Sequence, residues 1–374
     1  MTRPNIVPTA RSNIVSRAKP KIVFYLPQPF WPTTWPKHVN DNWPGFRLDI
    51  YAWTLQTYLR LKETGFACEL SQHIPDEGIV LFHSNVLQGA SLKPGPRQLF
   101  ICLKSEAHPH VHAQLHVVQN PVEASHCRVF MPHWPQSGLL PRDAERQDRF
   151  ETVAFVGHPN SLDPEFQSPI WQERLVQLGL QWRPVCSGEN GAESVDNRWH
   201  DYRDIDVIVA VRSFDPRMHW QTQNFCNKPA TKLYNAWLAG VPAILGRDSA
   251  YWAERESSLD YLEVNSLSQV LEQLVRLRDN SNLRQAMVAH GYQRAQAYTP
   301  QAITQRWVDF LNRVAMPAYE YWCQQPELRK NIGLLRSQAL KLQTGSQRTA
   351  NQRLRQRITN LSSLLDAVVA NGRS

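Results

Sequence analysis

Short apolar runs alternate with amphipathic segments through the first part of this 374-residue chain. The runs have the length and the β-branched and aromatic content of buried strands: KIVFYLP (21–27), IVLFHS (79–84), QLFICLKS (98–105) and LHVVQNP (115–121). The segment FRLDIYAWTLQTYLRLKETGF (46–66) places its apolar residues near helical spacing, and Gly65 is a typical helix stop. Short buried strands that alternate with helices favour a parallel sheet. We therefore predict a Rossmann-like domain over residues 21–150.

The same alternation resumes after a polar, proline-containing linker at 135–151. TVAFVGHP (152–159) and DIDVIVAVR (204–212) are predicted strands, and SPIWQERLVQLGL and SLSQVLEQLVRL are predicted helices. These elements predict a second Rossmann-like domain over residues 151–316. In such α/β sheets ligands bind beyond the carboxyl ends of the strands, so the site is expected in the cleft between the two domains.

The two ends of the chain differ from this body in charge and in periodicity. Residues 1–20 are rich in Arg, Pro, Ser and Thr and read as a flexible basic leader, and residues 317–374 carry nine Lys or Arg against three acids. Apolar residues of 317–374 step by three and four in two series that lose register at Gly345, which predicts two basic amphipathic helices. Packing on the body or on a second subunit and contact with a membrane surface or acidic partner remain alternatives for this extension.

Composition narrows the class of protein. The formal net charge of +8 belongs to the two ends, so it does not predict a specific nucleic-acid partner for the body. Six scattered cysteines form no metal-binding pattern and are expected to be buried reduced thiols. No apolar run reaches the roughly 18 to 20 residues of a membrane span, and the N-terminus lacks an export pattern. We expect a cytoplasmic protein, with a peripheral position on the inner membrane face as an extension of that expectation.

The segment NKPATKLYNAWLAGVPAILG (227–246) combines a helix, a stop and a buried strand. Pro229 suits a first helical turn and Gly240 the left-handed position past the helix end, which predicts a helix from Pro229 to Ala239. Lys228, Thr231 and Lys232 then lie at its N-terminus, where the helix dipole repels cations. An anion such as a diphosphate would relieve that repulsion and bind the N–H groups and the Thr231 hydroxyl. Solvated lysines at a helix end are the alternative.

These residues also carry a family resemblance. NAWLAGVPAIL is similar to the Glu-Ala-x-x-x-Gly-x-Pro-x-Ile pattern of GT-B glycosyltransferases of group 1 (GT4-like), and FVGHP resembles the first strand and glycine turn of their C-terminal domain. The resemblance covers roughly residues 152 to 312. It implies a GT-B fold, two Rossmann-like domains facing a central cleft, with the nucleotide-sugar donor in the C-terminal domain and the acceptor in the N-terminal domain.

The pattern departs from that family at two positions. The family has two glutamates eight positions apart, which contact the donor sugar and the ribose, and here Asn227 and Asn235 stand in their places. An asparagine still forms hydrogen bonds to a hydroxyl but brings no charge. TKLYNAWLAGVPAILGRDSAY is also similar to a stretch of the inverting GT10-type fucosyltransferases, so the stereochemical course stays open.

Glycosyl transfer requires stabilisation of the departing diphosphate and, for inversion, a base that takes a proton from the acceptor hydroxyl. We predict that Arg212, at the end of a strand, joins Lys228 and Lys232 in neutralising the diphosphate, and that Gly157 and His158 contact the donor. Glu106 and His108 follow an apolar strand of the first domain and are the favoured bases, with His83 and Asp49 as weaker choices. Phe30, Trp31, Trp35 and Trp43 form either a packed surface loop or a sugar-stacking surface.

The sequence thus predicts a transferase that moves a sugar from a nucleotide-diphosphate sugar to a polysaccharide, lipid-linked or specialised-metabolite acceptor. No cofactor and no metal are expected, because fixed cations and a helix N-terminus supply the charge. Oligomerisation through the C-terminal helices is a further expectation. A sugar-nucleotide epimerase of GT-B fold, an inverting fucosyltransferase that uses GDP-fucose, and a non-catalytic adaptor that binds a nucleotide sugar are the alternatives.

Overall fold

The computed structural model describes residues 19–87, 92–186 and 198–331. Most of the predicted leader, up to residue 18, and the predicted C-terminal helices beyond residue 331 therefore lie outside the described residues. The described chain forms two parallel α/β domains that face each other across a cleft. The architecture that the family resemblance implies is confirmed in this respect.

The N-terminal domain contains a six-stranded parallel sheet in the order β2-β1-β3-β4-β5-β6. Its strands are β1 (Ile22–Tyr25), β2 (Glu69–Ser71), β3 (Gly78–His83), β4 (Gln98–Leu103), β5 (Leu115–Val118) and β6 (Arg128–Phe130). Every residue of β3 and β5 is buried, which explains their unbroken apolar character. The sequence missed β2 and β6, because each has three residues and neither carries an apolar run.

The C-terminal domain contains a five-stranded parallel sheet in the order β11-β10-β9-β7-β8. Its strands are β7 (Thr152–Gly157), β8 (Gln181–Cys186), β9 (Val207–Ala210), β10 (Ala243–Leu245) and β11 (Leu262–Glu263). The first strand, β7, lies between β8 and β9, so the chain leaves it in opposite directions on its two sides. This reversal point is where doubly wound sheets open a crevice for ligands.

Nine α-helices connect and cover the sheets within the described residues: α1 (Thr57–Glu63), α2 (Pro169–Gln177), α3 (Pro216–Thr222), α4 (Thr231–Ala239), α5 (Ser249–Glu254), α6 (Leu267–Asp279), α7 (Ser281–Ala295), α8 (Pro300–Phe310) and α9 (Met316–Gln324). A π-helical stretch, Tyr51–Gln56, leads directly into α1. Ser168 caps α2 and Ser266 caps α6, each by accepting a backbone N–H at its side-chain oxygen.

Helix α8 returns to the N-terminal domain. Ile303, Trp307 and Phe310 pack in the same apolar core as Trp53 and the strands of the first sheet. The expected C-terminal domain, 151–316, therefore gives its last segment to the other domain's core. The amphipathic pattern of α8 shows that one face is buried, but it carries no information about which sheet covers that face.

The cysteines and the lengths of the helices bear on two further predictions from the sequence. All six cysteines are free thiols, but only Cys68 and Cys102 are buried; the other four are half-buried, contrary to expectation. Among the described helices, none combines the length and apolar content that crossing a bilayer requires.

Candidate nucleotide-sugar site

The reversal point of the second sheet gathers the predicted donor-binding residues. Gly157 ends strand β7, His158 follows it, and Arg212 follows the neighbouring strand β9. Helix α4 begins beside them, and all of these elements line one cavity at the cleft. The strand ends of a parallel sheet meet at one edge, which is why residues 157 and 212 come together.

Helix α4 directs its N-terminus at this cavity. It begins at Thr231, two residues later than predicted, and ends at Ala239 as predicted; the next residue, Gly240, has a φ of +69°, the left-handed conformation expected of the stop. Its N-cap residue, Ala230, has no side chain that could accept a hydrogen bond from the first turn. The Thr231 hydroxyl is buried, lines the cavity and has no hydrogen-bond partner among the described residues. A helix start with unused donors is suited to an anion.

Lys232 places a cation at the same point. Its ammonium nitrogen lies 5.4 Å from the centre of the Phe155 ring, and no described carboxylate pairs with it. Burial and then the nearby charge of Arg212 lower the pKa of Lys232 to about 7. A lysine held in this way binds a proton weakly until an anion arrives to compensate its charge.

Asp248 holds the side chain of Arg212 in place through a buried ion pair. The Nε of Arg212 donates a hydrogen bond to Oδ2 of Asp248 at 2.6 Å, and the two side chains are 9% and 1% exposed. Burial opposes the charge of Arg212, but the Asp248 carboxylate keeps its pKa above the ordinary arginine value. The pair holds the guanidinium at the cavity wall, where Arg212 is a lining residue.

Residues of the N-terminal domain form the opposite wall. Phe46, Asp49, His133 and Trp134 line the cavity, and Ser105 donates a hydrogen bond from its hydroxyl to Oδ2 of Asp49. The cavity has a volume of about 180 Å³. Ordinary ligand pockets measure about 300–1,000 Å³, so a whole nucleotide sugar needs a wider cleft than this closed arrangement provides.

Two of the predicted site residues bridge the domains instead. Lys228 forms an ion pair with Glu106 across the cleft, and Asn227 donates to the Glu106 carbonyl at 3.0 Å. Gln119 and Asn120, which follow β5, donate to the carbonyls of Asn227 and Lys228 at 2.8 and 3.1 Å. Neither Asn227 nor Lys228 lines the cavity in this closed form, whereas Glu106 does.

Asn235 lines the cavity, but protein groups already occupy its side chain. Its Oδ1 accepts the backbone N–H of Gln136 at 2.9 Å, and its side chain is also hydrogen-bonded to the Tyr202 hydroxyl. This anchors the inter-domain linker to α4. His108 is exposed and does not line the cavity, and the hydroxyl of Ser84 donates to its carbonyl. The structure thus brings Gly157, His158, Arg212, Thr231 and Lys232 together and leaves His108 apart.

Sequence reasoning missed His133 and Asp248. His133 follows strand β6, whose three residues carry no apolar run; recognising that strand would have placed this histidine at a strand end. Asp248 likewise lies just beyond the end of a strand, three residues after β10. Strand ends are therefore the useful signal: His133 was missed because the short strand β6 was not predicted, whereas β10 was predicted and the aspartate beyond its end was overlooked.

No group of three or more His, Cys, Asp or Glu side chains suited to a metal ion occurs within the described ranges 19–87, 92–186 and 198–331. A larger groove of about 520 Å³ lies between α1 and α8, lined by Arg60, Thr304 and neighbours. None of its lining residues lines the cavity that gathers the donor residues.

Comparison with known proteins finds no matching family and no similar curated protein. Solved structures do resemble the chain. HepE from Anabaena, solved in complex with UDP-glucose, is 12% identical, with 79% of this chain and 100% of that chain covered and a TM-score of 0.44. Sucrose-phosphate synthase from Thermosynechococcus elongatus is 10% identical over 71% of this chain and 77% of that chain, with a TM-score of 0.44.

TarM from S. aureus is 9% identical, with 69% of this chain covered and a TM-score of 0.43, and this chain spans 58% of its length. These are similarities of overall arrangement. Neither membership of a family nor an activity follows from them.

Proposed function

We propose that this protein is a glycosyltransferase that uses a nucleotide-diphosphate sugar as donor and needs no metal ion. The main observation is that two groups without partners lie together at the start of α4. Lys232 lacks a carboxylate partner among the described residues, and the Thr231 hydroxyl has no hydrogen-bond partner there. Arg212 stands beside them with its orientation fixed by Asp248. Two cations, a hydroxyl and a helix N-terminus match the oxygens and the charge of a diphosphate.

Lys232 and Arg212 repel each other, and this repulsion adds to the larger effect of burial in lowering the pKa of Lys232. A diphosphate removes the repulsion and its affinity for the site rises accordingly. The same charges stabilise the diphosphate as it leaves the sugar, which is the service that a metal ion supplies in other transferases. We therefore propose that these cations replace the metal.

The two-walled cavity supports transfer to a separate acceptor. One wall comes from the nucleotide-side strand ends, and the other comes from the N-terminal domain with the aromatic residues Phe46 and Trp134. Aromatic faces are suited to stacking on sugar rings. We propose a sugar, lipid-linked or specialised-metabolite acceptor, and propose that the domains separate to admit both substrates.

Calorimetric titration with UDP, GDP, dTDP and ADP, and with the matching monophosphates, tests this proposal. We expect one diphosphate to bind and its monophosphate to bind at least about tenfold more weakly, because the second phosphate meets Lys232 and Arg212. Incubation with the corresponding nucleotide sugars should then release that diphosphate.

Lys232→Ala is compared with Lys37→Ala as its matched control, since Lys37 is exposed and does not line the cavity. Both variants lose one positive charge, but only Lys232→Ala should weaken binding. Equal affinity in the two variants, or the absence of binding by every diphosphate, would contradict the proposed function.

A further inference from the structure

We propose that His133 is the general base of the transfer reaction, taking the proton of the attacking hydroxyl on its Nε2. This inference rests on the proposed function and assigns a residue of the acceptor wall that the sequence did not single out. His133 is half-buried, lines the cavity and lies in the chain between β6 and the inter-domain linker.

The hydrogen bonds of His133 determine its tautomer. Its Nδ1 lies 2.8 Å from the backbone carbonyl oxygen of Trp134. A carbonyl oxygen only accepts hydrogen bonds, so Nδ1 carries the proton. In the neutral ring Nε2 is then left with a lone pair, and no residue in the described part of the chain is hydrogen-bonded to it. The Trp53 ring meets the imidazole edge-on with centres 5.4 Å apart and limits its rotation.

His158 on the opposite wall has the reverse arrangement. Its Nδ1 accepts the backbone N–H of Asn160 at 3.2 Å, so the proton of the neutral ring is on Nε2. One histidine thus offers a donor beside the diphosphate-binding residues, and the other offers an acceptor on the N-terminal wall. A transfer reaction needs this polarity, because charge accumulates on the leaving group while the nucleophile loses a proton.

Each of the two carboxylates that line the cavity already has a partner on at least one oxygen. Glu106 is ion-paired with Lys228, and Asp49 accepts a hydrogen bond from Ser105 at one oxygen. In neutral His133, by contrast, the Nδ1–H group donates to a carbonyl and the lone pair on Nε2 stays available. The charged or titratable groups that share the cavity wall with it are Arg47, Asp49, Glu106, His158, Arg212 and Lys232.

The chemical step balances without a further reactant. The acceptor oxygen forms a bond to the anomeric carbon of the sugar while its proton passes to Nε2 of His133. The bond between that carbon and the diphosphate oxygen breaks, and its electron pair leaves with the diphosphate, whose charge Lys232 and Arg212 compensate. The imidazolium afterwards returns the proton to solvent.

The first test is independent of any substrate. Long-range ¹H–¹⁵N spectra of the protein labelled at histidine report which ring nitrogen carries the proton, and His133→Asn and His158→Asn assign the two rings. We expect protonated Nδ1 in His133 and protonated Nε2 in His158. Protonated Nε2 in neutral His133 would overturn the proposal.

The second test measures release of diphosphate from the nucleotide sugar that the titrations select, with water as the acceptor. In His133→Asn the side-chain amide can still donate to the Trp134 carbonyl, but there is no basic nitrogen. We expect the release rate to fall at least about 100-fold, as general-base catalysis typically contributes 10²–10⁴-fold, while diphosphate affinity stays within about threefold.

His108→Asn is the control, because His108 is an exposed histidine outside the cavity, and its rate should not change. If the variant His133→Asn binds diphosphate normally and releases it at the wild-type rate, the assignment of His133 is wrong and the proposed function stands. If neither the wild type nor His133→Asn binds any diphosphate, the proposed function is wrong, and so is the assignment of His133 that rests on it.

Discussion

Lys232 passes directly over the backbone of Gly157. A β-carbon at position 157 would lie 3.1 Å from Cε and 3.2 Å from Nζ of this lysine, and the φ of Gly157 is +151°. The glycine at the end of β7 therefore has two functions, since it allows the backbone to turn into the cavity and leaves room for the ammonium group. A side chain at 157 would force the lysine away from the place where it meets an anion.

Gly157→Ala should reduce diphosphate affinity by about tenfold and destabilise the fold by about 1–3 kcal/mol, the usual cost of a backbone conformation that only glycine adopts easily. Gly179→Ala is the matched control, because Gly179 has a φ of +71° and no atom within 4 Å of the added carbon. Both variants should unfold at lower denaturant concentration. Equal affinity in the two would show that contact with Lys232 is unimportant.

Lys232→Met should weaken diphosphate binding and stabilise the ligand-free protein. Burial and Arg212 lower the folded pKa to about 7 from an unfolded value near 10.5, so the unfolded chain binds more protons between these limits. The cost of the lysine is fully present below pH 7 and disappears as the pH rises toward 10.5. We expect the melting temperature to rise by about 2–4 °C at pH 6, equivalent to about 1 kcal/mol, and to change little near pH 10. A lower melting temperature at pH 6 would contradict the assigned repulsion.

Diphosphate affinity should decrease as the pH rises through about 7, because the ammonium form of Lys232 binds the anion and the neutral amine does not. We expect a loss of about tenfold or more between pH 7 and pH 9 by calorimetry. Lys232→Met should have a flat profile over the same range. A wild-type profile that is equally flat would exclude Lys232 as the group that titrates.

Glu106→Gln distinguishes a bridging role from a catalytic one. The substitution removes the ion pair that holds Lys228 across the cleft, and it frees that lysine for the donor phosphates. We expect diphosphate to bind about two- to fivefold more tightly and the release rate to stay within about threefold. A fall of 100-fold in release with unchanged binding would instead restore Glu106 as the base.

Trp307→Ala should destabilise the N-terminal domain by about 3–5 kcal/mol. In the sequence, this residue follows all the strands of both sheets. Trp307 is fully buried against Trp53, with ring centres 6.3 Å apart. Hydrogen exchange should show lost protection in β1 and β3 before any loss in β7. Trp252→Ala is the control, because Trp252 is 68% exposed and its removal should cost little.

Local sequence determined the elements of the site. The turn at Gly157, the stop at Gly240 and the strand before Arg212 follow from residue type and apolar pattern, because backbone preference and burial act over a few residues. Parallel strands with helical connections then fix which strand ends meet, so Gly157, Arg212 and Lys232 were predictable as neighbours. The clash of two lysines with a helix dipole was likewise visible in the sequence alone.

Only the tertiary structure decided which hydrogen-bond and ion-pair partners the side chains at the cleft have. Lys228 and Lys232 stand at one helix start, yet Lys228 pairs with Glu106 from the other domain and Lys232 remains without a carboxylate among the described residues. His133 and His158 differ in tautomer because one meets a carbonyl and the other an N–H. Side-chain pairing across a cleft depends on distances between groups remote in sequence, and no local preference encodes them. The sequence determined which strand and helix ends meet at the cleft, and only the fold decided which side chains line the cavity and which of them have a partner.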